Sequence, residues 1–452
     1  MQFEILFVLL FAVATAVAIL TRRLRMPYTV ALVAAGLLLG SINLFTPPHL
    51  TKDLLYAVFL PGLVFEAAFH LEFKAFWASK VTIVSLAVPG VVAAIVFTAL
   101  LLVPFTRAFR VAHGLGWSEG VVFGALLAAT DPIAVVALFR SLGAPPRLGM
   151  LVEAESLLND GTAVVFFTLV IAAIRGQVSL GGAVFDFARV VGAGAVIGVA
   201  LGYGVSKIIQ RIDDAMIEIT LTTIAAYGSF ALAESLHVSG IIATVVAGMV
   251  CGNLGATSMS PTTRIATLGF WDYVAFALNS VVFLLIGFEV RVREMLASWD
   301  IILVAWAAVT FGRALVIGIT WAALRRTPER MPASWIAPIS WGGIRGALAM
   351  VLALALPDDF PMRGLLLRMT FGVVVLSILL QGLTTSFVLR VFRVVTPRRV
   401  DAYQERRGDA LAARAALDAI EQMRAEATVL PDVLGRLEGV YKARLDEAES
   451  DL

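Results

Sequence analysis

Apolar residues in this chain run in blocks of about twenty, bounded by short clusters of charge, Gly or Pro. Blocks long enough to cross a hydrocarbon layer of about 30 Å as a helix fall near residues 3–21, 27–46, 52–71, 79–105, 116–140, 147–175, 183–208, 215–236, 239–254, 265–290, 299–324, 333–357 and 365–392. Within lipid a segment must bond its own backbone N–H and C=O groups, so these blocks predict helices. The expected fold is an all-α polytopic membrane protein with about 13 transmembrane helices over residues 1–395. Two blocks are not continuous. Thr130–Asp131–Pro132 interrupts the fifth and Gly342–Gly343–Ile344–Arg345–Gly346 the twelfth, each with a charge at the break. The sixth holds three carboxylates, Glu153, Glu155 and Asp160, inside a run otherwise apolar from Leu148 to Ala173.

Thirteen spans also admit an internal repeat, spans one to six and eight to thirteen being related by inverted topology, with the seventh as connector. The fifth and twelfth are then counterparts. Matching Gly- or Pro-broken segments in two halves of a transporter point to its binding site. Past Arg393 the pattern changes. Residues 396–452 are rich in Arg, Glu, Asp and Ala, with Leu411, Ala415, Leu417, Ile420 and Met423 at roughly helical spacing and Pro431 interrupting them. Two short amphipathic helices on the cytoplasmic side are expected there, as a solvated tail or dimer contact. A regulatory role is the other reading, and charge pattern alone names no partner.

Composition narrows the class. The chain has 452 residues, 60% apolar and 15% charged, against about 25% charged for a soluble domain. The first apolar block lacks a preceding basic stretch and a small-residue cleavage site, so it is expected to be a retained span. The lone Cys251 rules out an intramolecular disulfide and a cysteine metal cluster. The net charge of +2 points to no nucleic-acid partner, and no resident cofactor is implied. Basic residues orient the spans. Arg22, Arg23, Arg25, Lys74, Lys80, Arg140, Arg147, Lys207, Arg211, Arg264, Arg325, Arg326 and Arg330 fall on one side. The other side carries Lys52, Arg107, Arg110, Arg175, Arg291, Arg293 and Arg363. The richer side is cytoplasmic by the positive-inside rule, which puts the N-terminus outside and the C-terminus inside, in a plasma (inner) membrane.

Candidate chemistry gathers at the breaks. Pro132 has no amide hydrogen and its ring collides with the carbonyl of Ala128, so the helix unwinds and frees carbonyls that need new partners. Asp131 sits where a carboxylate caps the following half-helix. Thr130 offers a hydroxyl and a carbonyl as hard oxygen ligands. An ordinary proline kink capped by Asp131 is the plain alternative. On the sixth span Glu153, Ser156 and Asp160 are spaced three, four and seven apart, on one helical face, with Glu155 and Asn159 on the adjoining one. Asp160, Ser156, Asn159 and the Thr130 carbonyl make a set of one ionisable and several neutral oxygens. Burial favours the protonated carboxyl and a nearby cation the ionised one, so one acid can hold either. A purely structural hydrogen-bond cluster is the alternative. Arg313 and Arg345 lie within spans and each needs a partner. Glu155 is the expected partner of Arg345 or Arg313. Glu66, Glu234 and Asp272 read as local structural acids.

Six stretches, in order, resemble the NhaP-type monovalent cation/proton antiporters. They are Phe59–Leu60–Pro61–Gly62–Leu63–Val64–Phe65–Glu66, Thr130–Asp131–Pro132, Glu155–Ser156–Leu157–Leu158–Asn159–Asp160–Gly161, Glu234–Ser235–Leu236–His237–Val238–Ser239–Gly240, Asn279–Ser280–Val281–Val282–Phe283 and Gly342–Gly343–Ile344–Arg345–Gly346. The similarity covers about residues 1–395 and not the tail. It implies a homodimer in the bilayer, built through a scaffold (about 1–71 and 183–290) with a mobile six-helix core (about 79–175 and 299–392). It also implies that the crossed, unwound helices are the fifth and twelfth spans. Ion ligands are implied at Asp160, Ser156, near Asn159 and at the Thr130 backbone, with Glu155 in a buried polar network. Asn159–Asp160 precedes Gly161 where relatives with two acids tend to be electrogenic, so an electroneutral one-for-one exchange is expected, sodium first and lithium or potassium as alternatives. Two other classes compete: a cation channel, against which stands the asymmetry of the site within one chain, and an aspartyl protease using Asp131 and Asp160, which lacks any Gly-x-Gly-Asp context.

Overall fold

Where the apolar blocks run unbroken the backbone is helical. The structure, a computed structural model, describes residues 2–24, 27–42, 55–111, 114–290, 292–395, 398–425 and 431–450. Among these, seven helices are long and apolar enough to cross a membrane by length and composition: Lys80–Ala108, Pro146–Ile174, Gly181–Ile209, Ala215–Ser235, Pro261–Glu289, Trp299–Leu324 and Arg363–Val391. Four shorter apolar helices, Val8–Thr21, Tyr28–Ser41, Leu55–His70 and Gly240–Gly255, fall on the first, second, third and ninth blocks. The chain is therefore all-helical over its described membrane part. Arg25, Lys52 and Arg291, used above to orient the spans, lie outside the described residues.

The sixth block forms a single helix, Pro146–Ile174, of 29 residues, about 44 Å at 1.5 Å per residue. That exceeds the hydrocarbon thickness, which such a helix accommodates by tilting. The fifth and twelfth blocks are broken where expected. The fifth divides into Trp117–Leu126 and Ile133–Ser141 around a non-helical stretch at 127–132. The twelfth divides into Ile336–Trp341 and Ala347–Leu354 around 342–346. The thirteenth contains a π-helical turn at Ser377–Gln381. Its local widening lies beside the second break, where the Arg345 amide donates to the Ser377 hydroxyl at 3.1 Å.

Close packing in lipid depends on small residues, because tails compete equally for apolar surface. Gly194, Gly198 and Gly202 recur every fourth residue along Leu180–Ile209 and bring it onto the short helix Gly240–Val250. A methyl group on any of the three would strike the backbone oxygen of Ser239, Ala243 or Ala247. That short helix begins sharply. His237 takes a left-handed conformation (φ 54°) and the Ser239 hydroxyl accepts the Ile242 amide at 3.3 Å.

Contacts divide the chain into two compact units, one of residues 1–140 and 146–392 and one of 141–145 and 393–452. The first holds every candidate site residue. In the second, Arg398–Ala425 and Pro431–Ser450 form two helices, longer than the short ones expected. Ala410, Ala413 and Ile420 of the first and Leu434 and Ala448 of the second are buried, while Leu411 and Met423 are exposed. Of the apolar positions read from the sequence, Ile420 is buried and Leu417 partly so, whereas Leu411, Ala415 and Met423 face outward.

Candidate functional site

Unwinding around Pro132 leaves three consecutive carbonyls without helical partners, and the site is organised by what satisfies them. The Ala128 carbonyl would bond the amide that Pro132 lacks. It accepts instead from Arg345 Nη1 at 3.1 Å and from Asn159 Nδ2 at 3.0 Å. The Ala129 carbonyl would bond the Ile133 amide, but that amide donates to Asp131 Oδ1 at 3.1 Å, and Arg345 Nη1 takes the carbonyl at 3.0 Å. The Thr130 carbonyl accepts from the Ser156 hydroxyl in a short contact. Each replacement comes from another segment, so the break is held open by the fold.

The two breaks are also joined directly. The Asp131 amide donates to the Ile344 carbonyl at 2.7 Å. Gly346 lies so close that a Cβ there would stand 2.5 Å from the Asp131 Cβ and 2.6 Å from its Oδ2. Glycine at this position is a steric requirement of the crossing.

Behind the crossing lies a buried ion pair. Arg313 donates two parallel bonds to Glu155, Nη1 to Oε1 at 3.0 Å and Nη2 to Oε2 at 2.9 Å, with both side chains at most 8% exposed. The guanidinium also reaches the Ile339 carbonyl at 3.4 Å and rests against Gly343, where a side chain would have no room. Of the two expected partners for Glu155, the structure selects Arg313. Arg345, 3% exposed, is held by carbonyls instead of a carboxylate.

In front of the crossing is a cavity of about 280 Å³. Thr130, Asp131, Ser156 and Asp160 are among the residues that line it, as are Glu66, Glu153, Arg140 and Asn279. Among the described residues no donor lies within hydrogen-bond distance of the Asp160 carboxylate. Glu153 pairs with Arg140 at 3.2 Å, and the Arg140 side chain is 70% exposed, so the cavity meets solvent there. Of the residues read from the sequence as a ligand set, Thr130, Ser156 and Asp160 share this cavity and Asn159 does not. The Asn159 amide lies on the Glu155 face, against Ala128, with Nδ2 3.4 Å from Thr130 Oγ1 and 3.5 Å from Glu155 Oε1. Glu66 and Asn279 were not placed in the site by sequence. A lone acid in an apolar helix was the available signal for Glu66, and nothing in spacing linked Asn279 to the acids. Hard oxygens of this kind, with at least one carboxylate, suit a small cation better than any soft or nitrogen-preferring metal.

Sequence and fold both resemble those of known proteins. The profile of the family described as "Sodium/hydrogen exchanger, transmembrane" matches residues 8–391. The chain is 34% identical over 438 residues to the low-affinity Na+/H+ antiporter NhaS1 of Synechocystis, covering 92% of this chain and 80% of that one. It is 36% identical over 399 residues to the Na+/H+ antiporter NhaH of Halobacillus dabanensis, covering 84% and 96%. Its fold matches that of the sodium proton antiporter MjNhaP1 of Methanocaldococcus jannaschii, with a TM-score of 0.70 over 87% of this chain and 99% of the other at 18% identity.

Proposed function

The chain belongs to the sodium/hydrogen exchanger family, and we propose that it works as an NhaP-type antiporter in which Asp160 alternately binds a sodium ion and a proton. It is a multi-pass membrane transporter and not an enzyme. One observation carries the residue assignment: Asp160 faces the cavity beside the Thr130 and Ser156 oxygens, and no side chain or amide among the described residues is bonded to it. A carboxylate without a resident partner is free to take one from solution. Glu155, by contrast, is occupied by Arg313.

The cycle follows from charge. Ionised Asp160 with the Thr130 carbonyl and the Ser156 hydroxyl binds one dehydrated monovalent cation, with Asp131 supplying further negative potential from the crossing. Without the cation, low-dielectric surroundings favour the protonated acid. Either occupied form leaves Asp160 neutral overall, and only those forms cross the barrier between access states. One cation therefore moves against one proton. Lithium and potassium compete for the same oxygens.

The access change is a movement of a core (about 79–175 and 299–392) against a scaffold (about 1–71 and 183–290), within a thirteen-span inverted repeat and a homodimer. The cavity meets solvent at Arg140, on the side of Lys74, Lys80 and Arg147. The positive-inside rule makes that side cytoplasmic, so this conformation faces inward, with the N-terminus outside and the tail in the cytoplasm of a plasma-membrane protein.

Proteoliposomes test the reading. Sodium gradients should drive proton movement in the wild type and not in Asp160→Asn, and the reading fails if that variant exchanges at the wild-type rate. Replacing sodium by lithium or potassium ranks the cations.

A further inference from the structure

Beside the transport cavity, and not used by the exchange cycle, lies a cluster of a different kind. Glu66 and His70 stand one turn apart on Leu60–His70, and Asp272 faces them from Pro261–Glu289. Each offers one ligand atom within 4.8 Å of the others. His70 Nδ1 lies 3.0 Å from the Glu66 backbone carbonyl. A carbonyl only accepts, so the ring proton sits on Nδ1 in the neutral imidazole and Nε2 presents a lone pair. That lone pair faces Asp272 Oδ1 at 3.5 Å. That gap holds either a proton, which makes the ring an ion-pair partner of both Glu66 and Asp272, or a metal ion that displaces it. A backbone carbonyl holding one ring nitrogen while the other points at an ion is the usual orientation of a metal-binding histidine.

The spacing suits an ion. Zinc bonded to nitrogen and oxygen at about 2.0–2.1 Å in a tetrahedron sets its ligand atoms about 3.3 Å apart. The Nε2 to Oδ1 separation of 3.5 Å needs almost no change. Glu66 Oε1, now 3.2 Å from Nδ1, reaches the third corner by rotation of its side chain, and water fills the fourth. The backbone supporting these groups is rigid. Phe69 and Trp271 immediately precede His70 and Asp272, and both are buried. Trp271 packs on Phe65 with ring centroids 4.7 Å apart and donates to the Thr222 hydroxyl at 3.1 Å. The Asp272 side chain is 68% exposed, so no side chain among the described residues covers it.

We propose that Glu66, His70 and Asp272 form a binding site for a divalent transition metal ion of the zinc class, which clips Leu60–His70 to Pro261–Glu289 at the edge of the transport cavity. One imidazole and two carboxylates select zinc, cobalt or nickel over calcium and magnesium, which take oxygen ligands alone. Glu66 also lines the cavity. A divalent ion on Glu66 removes negative charge from the cation's route and so slows exchange, a consequence that rests on the antiport reading above. Binding itself does not.

Zinc chloride titrated calorimetrically into the untagged full-length protein in detergent should show one tight ion per chain. His70→Ala and the exposed Asp272→Asn should each weaken it by about 10–100-fold or more. Cobalt in its place should give the visible absorption of a four-coordinate site in the wild type and lose it in His70→Ala. Absence of a tight zinc ion, or equal affinity in the wild type and both variants, overturns the site. In proteoliposomes, zinc should slow sodium-driven proton movement in the wild type, a chelator should restore it, and His70→Ala should be insensitive. Full-rate exchange by the zinc-loaded wild type overturns the effect on transport while leaving the calorimetry to judge the site.

Discussion

Glu155 and Asp160 are five residues apart on one helix and meet opposite electrostatic circumstances. Glu155 is neutralised by the Arg313 guanidinium, and removing one member of a buried pair strands the other charge, at about 3–5 kcal/mol. Asp160 has no partner to strand. Glu155→Gln is therefore expected to lower the thermal unfolding midpoint of the purified protein in detergent far more than Asp160→Asn, which should abolish exchange at little or no cost in stability. The double change Glu155→Leu with Arg313→Met should recover most of the lost midpoint, because two apolar groups of similar volume need no partners. A midpoint that falls equally in Glu155→Gln and Asp160→Asn would contradict the division of roles.

The crossing of the two broken segments depends on one missing hydrogen and one missing methyl group. Pro132→Ala restores an amide that can reclaim the Ala128 carbonyl and so competes with Arg345 and Asn159 for it. Gly346→Ala drives a Cβ into the Asp131 side chain and pushes the breaks apart. Both variants should keep their helical content by circular dichroism. Both should lose at least about tenfold in exchange rate, because a ligand cage misplaced by an ångström costs that much or more. The position of each break was legible in the sequence, as a proline beside a carboxylate and as three glycines in five residues. The bonds between the breaks were not, since Asp131 and Ile344 are brought together only by the fold.

For the molecule as a whole, the proposed assignment of Asp160 as the one exchanging carboxylate predicts an electroneutral cycle. Proton flux driven by a sodium gradient should be the same whether the liposome potential is clamped at zero or left free, and a rate that follows the clamp would require a second titrating group. The tail makes a separate prediction. Lys442 and Arg424 hold the Glu438 carboxyl down to about 2. A glutamate depressed in the folded state adds stability above its unfolded value, about 4.3, and that contribution fades as pH falls toward 2. The pair is exposed, so the effect is small. Hydrogen exchange over Pro431–Ser450, corrected for intrinsic rates, should show protection falling more between pH 6 and pH 3 (about that range) in the wild type than in Glu438→Gln.

Sequence alone determined what is local. Block length and lipid's demand for internal hydrogen bonds specified helices, Pro132 and the glycines specified the breaks, and a seven-residue spacing put Glu153, Ser156 and Asp160 on one face. Tertiary structure decided what depends on partners far along the chain. It gave Glu155 to Arg313, 158 residues away, and left Arg345 to the carbonyls freed by Pro132. It turned the Asn159 side chain toward Ala128 and so out of the cavity that Asp160 faces. Periodicity records which side of a helix a residue occupies. Which charge lies across from it is set by how the helices pack, and a buried charge takes whatever donor that packing brings within reach.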